Sequence, residues 1–363
     1  MKKKFLIVTN HSYMLWQFRR ELIVELLKQG EVVISTPFVG HEDDFIAMGC
    51  RCIPTEIDRR GINPLKDFKL YWFYRKLLKR ECPDMVITYS IKPNIYAGYA
   101  CRFLNIPYVV NVQGLGTAFQ KSVISQVVTF MYKIALDGAR TCLFENDANA
   151  DEFVNRKIIK KKNKTVLHGA GVNLDYYPIQ PYPKEENGIH FLFLGRIMKE
   201  KGVDELFAVA RIMKEKYGNK VVFDLVGFFE DEYKGKVEEL IADNVVCFHG
   251  FQVDPRPYYA SAHCVVVPSY HEGMCNVLLE GAATGRALIA SDIPGCREAI
   301  DNGVNGFLCK KMDVESLLYC MECFVALDAG KREKMGKTGR YKMQREFDKG
   351  VVVNETLMTL GLK

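Results

Sequence analysis

The sequence lacks several features that mark whole classes of protein. Its 363 residues contain no run of the roughly 18 to 20 apolar residues that a membrane-spanning helix needs. The first four residues, Met-Lys-Lys-Lys, lead directly into an apolar, strand-like segment without the cleavage site of a signal peptide. We therefore expect a cytoplasmic protein that neither spans a membrane nor is exported.

Metal and redox motifs are also scarce. The twelve cysteines are scattered through apolar segments, which is typical of buried thiols in a reducing compartment. Cys320 and Cys323 have the spacing of metal ligands, but no second pair or histidine lies near them in the sequence. We interpret these two residues as part of a helix-packing surface.

Charge is distributed unevenly along the chain. Residues 1–183 contain 26 Lys and Arg against 17 Asp and Glu, whereas residues 184–363 contain 24 against 27. The first half is therefore basic and the second half slightly acidic. This asymmetry predicts an anionic partner for the first half, either nucleic acid or acidic lipid.

Short apolar runs alternate with longer segments of helical period in both halves, and this pattern predicts β-α units around parallel sheets. Each half supplies enough strands for one doubly wound, Rossmann-like α/β domain. The predicted strands are Phe5–Thr9, Glu31–Thr36, Met85–Thr88, Tyr108–Val112, Thr141–Phe144, Thr165–Leu167, Ile189–Leu194, Val221–Val226, Val245–His249, Cys264–Pro268, Ala287–Ser291 and Gly306–Cys309.

A stretch rich in proline and glycine separates the two sets of strands. We place the first domain at 1–175, a linker at 176–188 and the second domain at 189–340. Two such domains facing each other form a cleft at the carboxyl ends of both sheets, where open α/β sheets bind ligands. The active site is expected in that cleft.

One predicted helix, at 63–80, is strongly basic and aromatic. It opens with Asn63 as the N-cap and Pro64 as the first helical residue. Two interpretations stay open. The helix lies on an anionic bilayer with Trp72 at headgroup level, or its aromatic residues pack on the sheet while its lysines face water.

The segment from Gly195 to Gly202 directly follows a predicted strand and opens the next helix. Arg196 and Lys201 therefore lie beside a helix amino terminus, where free N–H groups and the helix dipole favour an anion. The order of residues is neither that of a P-loop nor that of a dinucleotide-binding loop. The segment predicts a phosphate ligand.

A second segment, 268–281, follows another predicted strand and carries Glu272 and Glu280. Glu272 is predicted in a turn at the end of that strand, and Glu280 is predicted two turns into the following helix. A spacing of eight residues returns to nearly the same helical face, so both carboxylates can point at one ligand. Carboxylates bind vicinal hydroxyls, and the cations of the first segment neutralise a diphosphate, so the two segments together predict a sugar-nucleotide site. Free amides at a helix start are predicted for Gly273, Met274, Cys275, Asn276 and Val277.

With these residues the sequence resembles glycosyltransferase family 4 of the GT-B superfamily, over nearly the whole chain. The resemblance rests on the Glu272-x7-Glu280 spacing and on the signature from Gly195-Arg196 to Lys201-Gly202. The segments at 171–178, 268–269, 291–298 and 305–307 are also similar to those of the family. The first half resembles a subgroup that builds capsules, O-antigens and lipid-linked oligosaccharides.

The resemblance implies a retaining transfer, without a bound metal, of a hexose or N-acetylhexosamine from a nucleotide-diphosphate sugar that we expect to be UDP-linked. Arg196 and Lys201 would neutralise the departing pyrophosphate, which is electrostatic stabilisation of the leaving group. Glu272 would hold the donor sugar, and Glu280 would bind the ribose. The segment that borders the base is matched by His249, Gly250 and Phe251.

The acidic clusters at 42–44 and 230–232 are interpreted as solvated loop charges rather than as metal ligands. Residues 341–363 resemble the helix that crosses back onto the first domain in this superfamily. The enzyme is expected on the inner face of the plasma membrane, with its basic first domain on acidic lipid.

The resemblance also implies an acceptor site in the first domain, for a saccharide expected to be linked to a polyprenyl diphosphate. Lys92 is a candidate for contact with the acceptor pyrophosphate, and the alternative is an ordinary solvated lysine in a loop. The candidate acceptor-side residues are His11, Lys92, Gln113, Gly114 and Gly116.

Two other classes of function fit parts of the pattern. UDP-N-acetylglucosamine 2-epimerases share the two-domain architecture, but they lack the ordered cations and glutamates described above. A non-catalytic anion-binding protein would use the basic helix on nucleic acid, but the sequence contains no helix-turn-helix, zinc-finger or RNA-binding motif. We therefore expect a nucleotide sugar as a partner and no nucleic acid.

Overall fold

The computed structural model describes residues 2–58, 63–115, 119 and 122–363. The chain divides into two compact units, one made of Met1–Ala170 with Val352–Lys363 and the other of Gly171–Val351. Residues 176–188, predicted as a linker, lie within the second unit. In the described part of the chain, no helix is both long and apolar enough to cross a membrane.

A seven-stranded parallel sheet forms the centre of the first unit. Its strand order is β3-β2-β1-β4-β5-β6-β7, so the chain starts in the middle and winds outward in both directions. The strands are β1 (Lys3–Val8), β2 (Gly30–Thr36), β3 (Arg51–Pro54), β4 (Met85–Tyr89), β5 (Tyr108–Val112), β6 (Thr141–Phe144) and β7 (Lys164–Val166).

Helices cover both faces of this sheet. Alternate side chains of a strand point to opposite faces, and here the side chains on both faces are apolar and are buried under helices. Leu6 of β1 lies in one buried cluster and Ile7 lies in the other. The helices are α1 (Ser12–Gln29), α2 (Glu42–Met48), α3 (Pro64–Glu81), α4 (Ile91–Leu104), α5 (Ser122–Leu136) and α6 (Asp147–Asn155). The unit is completed by the end of the last helix, α13 (Lys349–Thr359), whose Val353 and Leu357 join the cluster of Ile7.

A six-stranded parallel sheet forms the centre of the second unit, in the order β10-β9-β8-β11-β12-β13. Its strands are β8 (Ile189–Leu194), β9 (Val221–Val226), β10 (Cys247–Phe248), β11 (Cys264–Val267), β12 (Ala287–Ser291) and β13 (Gly306–Cys309). Its helices are α7 (Val203–Tyr217), α8 (Lys234–Ala242), α9 (Arg256–Ser261), α10 (Asn276–Ala283), α11 (Val314–Ala326) and α12 (Ala329–Glu346). The prediction of two doubly wound α/β sheets is confirmed.

The start of α3 follows the predicted chemistry. The side chain of Asn63 accepts hydrogen bonds from the backbone N–H groups of Leu65 and Lys66, and Pro64 is the first helical residue. This N-cap satisfies donors that have no partner inside the helix. The prediction of a helix that begins after Asn63 is confirmed.

Two strand predictions are corrected by the structure. The edge strand β3 was not predicted, because its four residues are partly exposed and form no apolar run. The predicted strand Val245–His249 is reduced to Cys247–Phe248, because Val245 and Val246 turn into the core instead of continuing the pairing with β9.

Candidate active site

The two segments predicted for the donor site follow strands β8 and β11, which lie side by side in the second sheet. Between Gly195 and α7, residues Lys199–Lys201 form a short 3-10 turn that ends at Gly202. A Cβ atom on Gly202 would lie 2.0 Å from the carbonyl oxygen of Pro268, and the φ angle of this glycine is +71°. Only glycine fits this close approach, which brings the two loops together.

Lys201 and Glu272 meet between these loops. The Nζ atom of Lys201 lies 2.5 Å from Oε1 of Glu272, and 22% and 13% of the two side chains are exposed. Burial lowers the pKa of Lys201, but the charge of Glu272 outweighs this effect and raises it above the ordinary value. The lysine is therefore held in its charged form at the end of the sheet.

Arg196 has a different acidic partner. Its Nη1 atom donates to Oε2 of Glu230 at 2.6 Å, and the arginine side chain is the more exposed of the two. The carboxylate of Asp231 accepts a hydrogen bond from the backbone N–H of Lys199 at 3.1 Å. Asp231 and Glu232 are exposed, as expected for solvated loop charges, but Glu230 and Asp231 also hold the basic loop in place.

Glu272 lies in the loop before α10 and Glu280 lies inside the helix, as the sequence predicted. Because Glu272 is not helical, the spacing of eight residues does not by itself place both carboxylates on one helical face. The predicted free amides also need correction at Cys275, whose N–H donates to the carbonyl oxygen of Gly295 at 2.8 Å. Those of Asn276 and Val277 lie in the first turn of α10, where a helix offers no internal acceptor.

The loop that carries Glu272 is pressed against Gly295. A Cβ atom on Gly295 would lie 2.7 Å from the carbonyl oxygen of Gly273 and 2.8 Å from that of Glu272, at a φ angle of +88°. Met274 and Cys275 are buried, and the buried Oδ1 atom of Asn276 has no hydrogen-bond partner among the described residues. The position of Glu272 thus depends on this contact with the loop after β12.

Glu280 is buried, and its Oε2 atom accepts a hydrogen bond from the hydroxyl of Tyr259 at 2.8 Å. Burial raises the pKa of Glu280 to about 7, against the opposing effects of two tyrosine hydroxyls and of Lys349. Glu280 therefore carries a carboxyl group that titrates near neutral pH.

His249 is fixed by Asp224 at the end of β10. The Nε2 atom of His249 and the Nδ1 atom of His190 lie 2.8 Å and 2.7 Å from the two oxygens of this carboxylate. Burial opposes ionisation of Asp224, but the hydrogen bonds with the two histidines outweigh it and lower the pKa of Asp224. The next residues form a turn in which Gly250 has a φ angle of +67°.

Phe251, which follows this turn, is 55% exposed. Its ring meets that of Phe228 edge to face, with the centroids 6.0 Å apart. Phe228 follows β9 and is also exposed. The carboxyl edge of the second sheet therefore presents two aromatic rings beside its charged loops.

A cavity of about 330 Å³ lies at the carboxyl edge of the first sheet. It contains three of the predicted acceptor-side residues, Lys92, Gln113 and Gly114. His11 directly precedes α1, next to the cavity residue Asn10. Gly116 lies outside the described residues.

Lys92 lies in the first turn of α4 rather than in a loop. Its Nζ atom lies 2.6 Å from Oδ1 of Asp67 in α3, and both side chains are mostly buried. The alternative of a solvated loop lysine is therefore wrong. Nearby, Nε2 of Gln113 lies 3.3 Å from the sulfur of Met14.

Sequence reasoning missed four residues that hold the second-unit site in place, namely Gly202, Gly295, Tyr177 and Tyr259. Both glycines lie within segments that resemble those of the family, at 195–202 and 291–298, so those segments contained a signal for them. Tyr177 likewise lies in the family-like segment at 171–178, whereas Tyr259 lies among several other tyrosines and nothing in its spacing distinguishes it. The contacts of these two tyrosines with Glu280 become visible only in the folded chain.

Two family models match the chain, one in each unit. Residues 179–342 match the family "Glycosyl transferases group 1". Residues 4–146 match the family "Glycosyl transferase 4-like". The two matches follow each other along the chain without overlap and include both candidate sites.

Several known proteins are similar to the chain. It is 27% identical over 323 residues to N,N'-diacetylbacillosaminyl-diphospho-undecaprenol alpha-1,3-N-acetylgalactosaminyltransferase of Campylobacter jejuni, with 84% of each protein covered. It is 24% identical over 312 residues to the capsular polysaccharide biosynthesis glycosyltransferase CapM of Staphylococcus aureus, with 82% of the chain and 81% of CapM covered.

A solved structure is similar to almost the whole chain. The crystal structure of Anabaena HepE in complex with UDP and glucose has a TM-score of 0.81 at 16% sequence identity, and 99% of each chain is covered. At this level of identity, the similarity shows a shared fold.

Proposed function

The chain belongs to glycosyltransferase family 4, which has the GT-B fold, and from this premise we propose that it moves a hexose or N-acetylhexosamine from a nucleotide-diphosphate sugar to a lipid-linked saccharide. The membership confirms the resemblance found in the sequence. We further propose a UDP-linked donor, retention of configuration and no requirement for a metal. The product would be a precursor of a surface polysaccharide.

The pair formed by Lys201 and Glu272 is the observation that carries this proposal. The carboxyl ends of β8 and β11 bring together a charged lysine and a carboxylate, with Arg196 in the same loop as the lysine. Departure of a nucleoside diphosphate leaves negative charge on its oxygens, and positioned cations stabilise that charge as it develops. The carboxylate is suited to hold sugar hydroxyls next to those cations.

The other residues of the predicted donor site support binding of a nucleoside. Glu280 offers a carboxyl group for ribose hydroxyls, and the edge near His249 and Phe251 offers aromatic surface for a base. The crystal structure of HepE contains UDP and glucose, which supports a UDP-linked donor for this chain as well. We assign donor binding to the second unit on these grounds.

The acceptor assignment is supported by the cavity in the first unit and by the relatives. The name of the Campylobacter jejuni relative specifies a saccharide on diphospho-undecaprenol as acceptor. Asn10, Ser90 and Gln113 give the cavity polar side chains that can bind hydroxyl groups. We propose that this cavity binds the saccharide of a polyprenyl-diphosphate-linked acceptor.

A membrane surface is the third partner that we propose, with α3 as the contact. Leu65, Phe68 and Trp72 are 77%, 61% and 41% exposed and are spaced to form one stripe of the helix, whereas Tyr74 is buried. Aromatic packing on the sheet therefore explains Tyr74 but not Phe68 or Trp72. Exposed apolar residues beside lysines favour an anionic interface.

The donor is tested first by measuring thermal shifts with UDP, GDP and ADP sugars, because a ligand that binds the folded state raises the melting temperature. We expect one nucleotide class to stabilise the protein. The stabilising sugar nucleotide is then incubated with a synthetic acetamido sugar on a short polyprenyl diphosphate. NMR of the product reads the anomeric configuration, which we expect to be that of the donor.

Two results would contradict the proposal. Conversion of the donor to an epimer in the absence of acceptor would identify an isomerase instead. Transfer with inverted configuration would leave a glycosyltransferase but reject the retaining mechanism. Transfer that persists in the presence of EDTA is expected if no metal takes part.

A further inference from the structure

The carboxylate of Glu280 lies beside two tyrosines inside the second unit. The hydroxyl of Tyr259 donates to its Oε2 atom at 2.8 Å, and Tyr177 favours the ionised form of the same carboxylate. The two rings meet edge to face, with centroids 5.9 Å apart. All three side chains are buried, so the tyrosines form a fixed bracket around the acid.

Two arginines fix the backbone of these tyrosines. The Nε atom of Arg286 donates to the carbonyl oxygen of Tyr259 at 2.8 Å. The Nη1 atom of Arg340 donates to the carbonyl oxygens of Tyr177 at 2.7 Å and of Ala283 in α10 at 2.8 Å. The bracket is thus tied to the helix that carries the acid.

The bracket leaves acceptor capacity on the carboxylate. An ionised carboxylate has about four acceptor positions, and the hydroxyl of Tyr259 occupies one of them. Two vicinal hydroxyls, such as those of a ribose, supply two donors that fit the remaining positions. A protonated carboxyl group has less acceptor capacity, so its ionisation state matters for such a ligand.

The surroundings of Glu280 set that ionisation state. Burial favours the neutral acid, whereas the hydroxyls of Tyr259 in α9 and of Tyr177 in the 171–178 segment favour the carboxylate, as does the charge of Lys349 in α13. Loss of either hydroxyl therefore raises the pKa of Glu280. The tyrosines act on both the position and the charge of the acid.

We propose that Tyr259 and Tyr177 are positioning residues that hold Glu280 as an ionised acceptor for the two ribose hydroxyls, and that they make the site prefer a ribonucleotide over a deoxyribonucleotide. This inference rests on the proposed function, because it takes a nucleotide sugar as the donor. Both tyrosines act through Glu280.

The test compares UDP with 2′-deoxy-UDP by calorimetry in the full chain, for the wild type, Tyr259→Phe and Tyr177→Phe. We expect the wild type to prefer UDP. Each variant is expected to weaken UDP binding by roughly fivefold to twentyfold and 2′-deoxy-UDP binding by less, so that the preference shrinks. Loss of packing alone would weaken both nucleotides equally, and that result would overturn the inference.

Tyr233→Phe is the matched control. The hydroxyl of Tyr233 donates to Oδ2 of Asp204 at 2.8 Å, so this variant removes a tyrosine-carboxylate hydrogen bond of the same length elsewhere in the unit. Its nucleotide preference is expected to equal that of the wild type. A loss of preference as large as in Tyr259→Phe would show a general effect of tyrosine removal and would overturn the inference.

A measurement on the wild type covers the case in which a variant does not fold. The ratio of the two affinities is followed between about pH 5.5 and 8.5, around the pKa of Glu280. We expect the preference for UDP to decrease as the acid becomes protonated and to be independent of pH in Glu280→Gln. A wild-type ratio that does not change with pH would overturn the inference.

The outcomes separate this inference from the proposed function. A wild type that binds neither UDP nor GDP contradicts the proposed donor and, with it, the inference. A wild type that binds UDP but has the same preference in all variants contradicts the role of the tyrosines alone.

Discussion

The Nζ atom of Lys201 lies 2.5 Å from the Oε1 atom of Glu272, although the two residues are 71 positions apart in the sequence. Each follows a different strand, and these strands lie side by side in the second sheet. Glu272 compensates the charge of a lysine that we propose to meet a pyrophosphate. Lys201 is therefore already ordered and charged before the donor binds. On donor binding, the pyrophosphate oxygens would take the place of the Glu272 carboxylate as the partner of Lys201.

Removal of either member of this pair should abolish most of the transfer activity. We expect Lys201→Ala and Glu272→Ala each to lower kcat by about 10²-fold to 10³-fold, because the first loses a cation where negative charge develops and the second loses the group that orients the donor sugar. The double variant should lose less than the product of the two single effects, since both act at one contact. Steady-state kinetics with the donor identified above gives these values.

Lys199→Ala is the control for the lysine variant. Lys199 lies in the same short turn and its side chain is exposed. Its kcat is expected to stay within about twofold of the wild type, as for most exposed side chains away from special features. Normal turnover of Lys201→Ala would refute the site assignment.

Gly295 should be required for activity through its contact with the loop of Glu272. In Gly295→Ala, the new methyl group would lie 2.7 Å from one backbone oxygen and 2.8 Å from another, so the loop has to move. Gly303→Ala has a similar φ angle of +78° but no atom within 4 Å of the new methyl group. Both variants should lose about 1–2 kcal/mol of stability from the left-handed backbone.

Only Gly295→Ala is expected to lose activity, by at least about tenfold, because a misplacement of about 1 Å is costly to catalysis. Thermal unfolding and donor kinetics on both variants separate the two effects. Equal activity of the two variants at matched stability would show that the loop contact does not position Glu272.

Glu280 should make the protein less stable as the pH rises through its titration range. Its pKa is about 7 in the folded state against 4.5 as the ordinary value, so the folded protein holds a proton that the unfolded chain has released. The resulting contribution to stability is present below pH 4.5 and is lost between about pH 4.5 and 7. Above this window, the loss amounts to roughly 3 kcal/mol at about 1.4 kcal/mol per unit of pKa.

Glu280→Gln is therefore expected to be more stable than the wild type at about pH 8, by a few degrees in Tm, and similar to it at about pH 4.5. The same variant should bind the donor more weakly, because the ionised acceptor is lost. Unfolding in urea at several pH values measures how the free energy of unfolding changes with pH. An unchanged pH dependence in the variant would place the titrating group elsewhere.

The exposed stripe of α3 should insert into anionic bilayers. The chain has two tryptophans, so Trp72 is the only one left in Trp16→Phe, and its fluorescence reports directly on this helix. We expect a blue shift on phosphatidylglycerol vesicles that decreases with added salt, and no shift on phosphatidylcholine vesicles. Absence of salt-sensitive binding would contradict the membrane proposal.

Lysines of α3 should account for the salt dependence. Replacement of Lys69, Lys76 and Lys79 by glutamine is expected to lower vesicle affinity strongly, since each basic residue near an anionic surface contributes about 1 kcal/mol. A control with the same change in charge uses exposed lysines of the second unit. These are Lys220, Lys310 and Lys334. An equal loss of vesicle affinity in both triple variants would show that binding depends on the net charge of the protein rather than on α3.

The strand predictions succeeded where the chain forms buried parallel strands, because such strands are continuous apolar runs. Met85–Thr88 was predicted and Met85–Tyr89 is observed. The edge strand Arg51–Pro54 was not predicted, because its residues are partly exposed and do not form a continuous apolar run. Local patterns therefore predicted the central strands and the fold class, but not the full extent of either sheet.

The site was predicted less completely than the fold. The end of a strand is a local property, so the sequence placed Arg196, Lys201 and Glu272 at the correct edge of the sheet. The role of Glu230 as a partner of Arg196 was missed, because a loop acid looks solvated until the neighbouring loop is known. The bracket around Glu280 was missed for the same reason.

The sequence by itself determined the family and the doubly wound sheets, since motifs and periodicity are properties of neighbouring residues. Only the tertiary structure decided which charges pair. Lys201 pairs with Glu272, which is 71 positions away in the sequence, and Arg196 pairs with Glu230, which is 34 positions away. These partners meet because β9, β8 and β11 are consecutive strands of one sheet, and their order is set by packing of the whole unit rather than by any local pattern.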